Sequence, residues 1–150
     1  MLEPTVIPWI LIIFGLITSG PLLYAQLVML TQPHSQKAKD LMIGKGEDWR
    51  DGSHFKSAYA LAWADWIFFM PVFVAGIIGV ILGQVWGYAL FAVAGAIMLY
   101  VNVYLWFFER EYVYPAVGPL AYYTYIWGNF VYWGAVTLVY SLLRLSGISL

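Results

Sequence analysis

Long apolar runs alternate with short polar stretches along this chain, and the lengths of the runs set the architecture. A helix needs about 20 apolar residues to cross the hydrocarbon core of a bilayer. Four runs reach that length, over residues 5–30, 54–82, 86–108 and 120–145. The pattern predicts an all-α polytopic membrane protein, a bundle of four transmembrane helices forming one membrane domain over residues 1–150.

Proline and glycine punctuate the runs. Pro8 falls in the first turn of run one, where a missing N–H is harmless, and Gly20-Pro21 predicts a break near its middle. Pro71 lies inside run two. Gly83-Gln84 leaves room only for a tight turn, so runs two and three form an antiparallel hairpin. Gly76, Gly79, Gly83, Gly87 and Gly95 suggest close packing within it. Between runs one and two, Ser35 can cap a short helix ending near Gly44, with Ala38, Leu41 and Met42 on one side. That amphipathic segment would lie along the membrane surface. Asp51 or Ser53 is the expected N-cap of run two.

Composition agrees with the pattern. The chain is 63% hydrophobic and only 10% charged, where soluble domains carry about a quarter charged residues. No basic tract of the kind nucleic acid needs is present, so nucleic acid is not an expected partner. The absence of cysteine excludes disulfides, thiol chemistry and cysteine-ligated metals. Glu3 is the only charged side chain before Lys37, and run one outlasts a typical signal-peptide core, so it is expected to be retained. Six of the seven cations, Lys37, Lys39, Lys45, Arg50, Lys56 and Arg110, flank the first and third connections, and only Arg144 lies on the other side. This imbalance predicts that both long connections are cytoplasmic and both termini outside.

Asp65 then stands out. From Ala58 to Val85 it is the only residue of formal charge, roughly 13 Å from the start of its helix at ~1.5 Å per residue. A carboxyl group at that depth costs about 3 kcal/mol unless it is protonated, paired or wetted, and so marks a candidate site. Gln26, Asn102, Tyr122, Tyr125 and Asn129 enter from the same side of the membrane, as do the aromatic residues Tyr24, Trp63 and Trp66. Together with Asp65 these are the expected ligand-binding residues of a pocket between the helices, with Asp65 at its floor. The plainer reading is that Asp65 accepts hydrogen bonds from a neighbouring helix as interhelical glue, and that the span-four tyrosines form an interfacial belt. Glu109, seven residues from Asn102 and on the same helix face, would rim the pocket. Glu47, Asp48, Asp51 and His54 lack the spacing of a zinc or calcium site, so no metal is assigned. No nucleotide or dinucleotide fingerprint is present either, and no cofactor is expected.

His54-Phe-Lys-Ser57, followed by Asp65 and then Pro71, resembles the second span of the EXPERA group, which contains emopamil-binding sterol isomerases and sigma-receptor-like proteins. Gly20-Pro-Leu-Leu-Tyr-Ala-Gln26 is similar to that group's first span. The resemblance covers about half the chain. It implies a four-span protein that binds a hydrophobic, sterol-like or amine-bearing ligand. Two positions depart from the group. Gln26 stands where its first-span acid falls, and Leu61 stands where the isomerase branch carries a histidine one turn before its second-span acid. Proton-shuttling isomerisation needs a donor and an acceptor on opposite sides of the substrate, so these departures favour binding over catalysis. The group's cytosolic termini also run against the charge imbalance.

Four functions follow from these residues. The first is a protein holding a membrane lipid or other hydrophobic or amphiphilic small molecule at Asp65. The second is a small membrane enzyme using Asp65, with Tyr125 or Glu109, as acid and base. The third is an accessory subunit packed in a larger membrane complex, and the fourth a proton- or cation-coupled transporter working as a homodimer.

Overall fold

A computed structural model describes residues 5–113 and 120–149; for 113 and 120–127 the description covers the backbone alone. All regular structure among these residues is helical. Helix α1 spans Val6–Thr31 and α2 spans Gln36–Met42. Helix α3, Gly52–Ala64, runs through a π-helical turn at Asp65–Phe69 into α4, Met70–Ile81. Helix α5, Val85–Phe108, ends in a second π-turn at Glu109–Val113, and α6 spans Leu120–Leu145. Three continuous helices, Val6–Thr31, Gly52–Ile81 and Val85–Tyr112, are long and apolar enough to cross a membrane. Helix α6 is as long as α1. The outer faces are apolar too, with Ile10, Ile17, Ile67, Phe68, Val85 and Val139 all more than half exposed. Helices apolar on both faces are what a bilayer, and not water, solvates.

The π-turn has a local cause. Pro71 offers no N–H, and its ring would collide with the carbonyl four residues earlier in a regular helix. The chain widens by one residue instead, and the Met70 N–H bonds to the Asp65 carbonyl five residues back. Pro21 is absorbed differently. The predicted break at Gly20-Pro21 does not form, and α1 continues through it with the Pro21 ring on the exposed face.

The glycines set the packing. A Cβ on Gly87 would fall on the Gly79 backbone, and one on Gly76 would sit 3.0 Å from the Phe91 nitrogen, so α4 and α5 touch backbone to backbone. Gly83, at φ 65°, makes the turn between them. Gly95 does not serve this hairpin as expected. It faces Gly134 on α6, where a Cβ would meet the Gly134 carbonyl oxygen at 2.9 Å. Helix α6 therefore lies closely along α5. Trp133 on α6 is fully buried against Phe73 and Phe91, and its Nε1–H donates to the Leu11 carbonyl of α1 at 2.8 Å. These rings fill the half of the bundle away from the charged connections.

At the other end α2 folds back against α1. Ser35 caps it, accepting from the Ala38 N–H at 3.1 Å, and Ala38 is fully buried beside Val28 and Met29. Asp51, not Ser53, caps α3, accepting from the Ser53 and His54 N–H groups at 2.7 and 3.0 Å.

Candidate functional site

Asp65 is buried at 7% exposure where α3 passes into the π-turn. Its one side-chain hydrogen bond among the described residues comes from α1, where Gln26 Nε2–H donates to Asp65 Oδ2 at 2.6 Å. Gln26 is itself 1% exposed, and its Oε1 accepts no hydrogen bond among the described residues. On α5, Asn102 is equally buried and spends its amide N–H on the Met98 carbonyl at 2.9 Å and on the Met98 sulfur, which leaves its Oδ1 without a donor. All three residues line one cavity of about 50 Å³. Orphaned buried acceptors each cost about 1–3 kcal/mol, so two of them beside a carboxyl group make a floor that demands donors.

Helical spacing builds the walls. On α3, His54, Ser57 and Leu61 share the cavity face with Asp65, at steps of three, four and four residues. On α5, Met98, Asn102, Leu105 and Glu109 follow at four, three and four. Leu22 from α1 joins Gln26, while Met42 at the end of α2 and Trp49 from the following loop cover the end nearest the charged connections. There His54 Nε2 lies 3.9 Å from Glu109 Oε1, both side chains largely buried. The Arg50 backbone N–H donates to His54 Nδ1 at 3.2 Å, so a neutral ring carries its proton on Nε2, toward Glu109.

The loop above this pair is pinned. Tyr112 O–H donates to Asp51, whose caps and tyrosine bond hold its carboxyl below the usual carboxylate range. The Arg50 guanidinium lies 5.1 Å over the Tyr112 ring. Lys39 Nζ meets Asp48 at 2.8 Å, and this hydrogen bond holds the Asp48 carboxyl low as well.

The expected site residues divide. Asp65, Gln26, Asn102 and Glu109 meet at the cavity. Tyr24 and Trp63 do not. Each stands two residues before a cavity residue, about 200° round its helix, and they are 50% and 45% exposed on the outer face. Trp66 turns to α1 and donates Nε1–H to the Leu23 carbonyl at 3.1 Å, a helix-to-helix contact outside the cavity. Asn129 is exposed on α6. The side chains of Tyr122 and Tyr125 lie outside the described residues. His54 was legible only as a helix start. Its spacing of 11 residues from Asp65, three helical turns, was the signal that joins the two on one face. Among the described residues no three His, Asp or Glu side chains gather as a metal site would require.

Comparison of the chain with protein-family models, with curated proteins and with solved structures finds no match.

Proposed function

We propose that the chain is a four-span membrane protein whose Asp65 cavity receives the donor-rich, cationic head of a hydrophobic or amphiphilic small molecule. One observation carries the reading. Asp65, Gln26 and Asn102 line one space walled by leucine, isoleucine and methionine, and the buried side-chain oxygens Oε1 of Gln26 and Oδ1 of Asn102 have no hydrogen-bond partner among the described residues. An ammonium group answers such a floor, offering up to three N–H donors and a charge that offsets the carboxylate. Size restricts the ligand. A space of about 50 Å³ holds roughly three or four waters or a compact head group, against the 300 Å³ or more of a drug-sized pocket. A sterol skeleton would have to displace Leu61, Leu105 or the Met42–Trp49 cover, so the hydrophobic body belongs along the apolar walls and the lipid.

In this reading α6 is the fourth crossing, and the cation imbalance puts the connections after α1 and after α5 on the cytoplasmic side. Native mass spectrometry of the protein released from its own membrane tests the assignment. The wild-type chain is expected to carry a bound amphiphile that Asp65→Asn, folded and monodisperse, does not; the same adducts on both proteins would overturn it.

A further inference from the structure

Between the two ends of the cavity runs a stripe of polar side chains. His54 and Ser57 lead along α3 to Asp65, about 16 Å over 11 residues at 1.5 Å each. Glu109 and Asn102 run along the facing side of α5. The volume between them suits a file of waters, and waters are what unpartnered buried oxygens such as those of Gln26 and Asn102 bind. In the other direction the way is shut. Phe69, one turn beyond Asp65, is followed by Phe73, Phe91 and Trp133, all at most 2% exposed and packed ring on ring.

We infer that this stripe is a hydrated proton path that connects Asp65 with the side of the charged connections alone, with the His54–Glu109 pair at its mouth. The inference rests on the Asp65 cavity of the reading above, with waters filling it when no head group does. The transfer balances simply. Glu109 takes a proton from bulk water, the proton moves along the waters to an Asp65 oxygen, and Glu109 is again a carboxylate while Asp65 becomes the neutral acid. The reverse sequence unloads it. His54, with Nδ1 held by the Arg50 N–H, keeps its Nε2 3.9 Å from Glu109 Oε1, near enough for one water or a small side-chain shift to join the two. Asp51, Arg50, Arg110 and Glu111 flank the pair and set its local potential. A closed aromatic side makes Asp65 a one-sided proton store, not a step in a through-membrane wire.

Two measurements test this. The chain has no cysteine, so single cysteines report cleanly. In right-side-out and inverted vesicles, an impermeant charged thiosulfonate is expected to modify Leu61→Cys from the same side as Lys45→Cys in the loop. Phe73→Cys is expected to stay unmodified, and Ser146→Cys to label from the opposite side. Leu61→Cys that is inert, or that follows Ser146→Cys, overturns the path. The second measurement is hydrogen–deuterium exchange of the Asp65 carboxylic acid, read from its infrared carbonyl band by subtraction of Asp65→Asn at a pH where the band is present. Exchange is expected to slow about a hundredfold in Glu109→Gln, and an unchanged rate overturns the role of the pair. Affinity for a long-chain alkylammonium, compared between wild type and Asp65→Asn, reads the ligand assignment separately. Equal affinities with slowed exchange in Glu109→Gln fail the ligand reading alone, and unequal affinities with an unchanged exchange rate fail the path alone.

Discussion

Gln26 donates its side-chain N–H to Asp65 across 2.6 Å, the hydrogen bond that ties α1 to the π-turn. It is made by one nitrogen and leaves the rest of the floor short of donors. Gln26→Leu should lower stability by about 1–3 kcal/mol, because a buried acceptor loses its only partner. Gln26→Leu combined with Asp65→Leu should recover most of that loss. Thermal unfolding of the single and double variants in one detergent checks both, and strict additivity would deny the coupling.

Close approach of α4 and α5 rests on Gly76, Gly79 and Gly87. Gly87→Ala drives a methyl group into the Gly79 backbone, which cannot retreat as a flexible side chain could. A destabilisation of about 1–3 kcal/mol or more is expected. Gly20→Ala on α1 meets nothing within 4 Å and should be neutral or slightly stabilising. The contrast is measurable by the same unfolding assay.

Trp133 joins α6 to α1 through the Leu11 carbonyl and fills the aromatic core. Trp133→Phe should cost about 1 kcal/mol for the lost hydrogen bond, and Trp133→Ala about 3–5 kcal/mol for the cavity besides. If both variants unfold together with wild type, the packing of α6 described above is wrong.

Acid should release the loop over the cavity before it unfolds the bundle. The Tyr112 hydrogen bond, with the cap bonds behind it, holds Asp51 below its ordinary value of 3.8, and Lys39 does the same for Asp48. A depressed folded value means that the stabilisation is present above the unfolded value and is lost as pH falls through the folded one. Backbone hydrogen exchange over residues 43–51 should therefore stay slow at neutral pH and rise below about pH 4. In Asp51→Ala the rise should already be present at pH 7.

The long helices, the Ser35 cap and the tight Gly83 turn were legible because each depends on neighbours in sequence. Asp65, Asn102 and Glu109 were legible for a similar reason. An acid in an apolar run and a spacing of seven on one helix need no tertiary information. The π-turn was not, since Pro71 can be absorbed by a break, a kink or a widening, and α1 takes a different course at Pro21. Tyr24 and Trp63 enter from the same side of the membrane as Gln26 and Asp65, but depth in the membrane does not fix the helix face, and the 100° step of the helix turns both outward. The partnership of Gly95 with Gly134 and the cover of Met42 and Trp49 depend on which helices meet, and no local pattern encodes that.

Asp65 as the anchor of a donor-bearing head group is the central claim, and one titration addresses it directly. Calorimetry of a long-chain primary alkylammonium into the protein in nanodiscs should show saturable binding that the alcohol of equal chain length does not match. Asp65→Asn should weaken it by about 2–3 kcal/mol, the worth of a charge-assisted hydrogen bond. Equal affinity of the alcohol and the ammonium for wild type, or an Asp65→Asn protein that binds the ammonium as wild type does, would contradict the account.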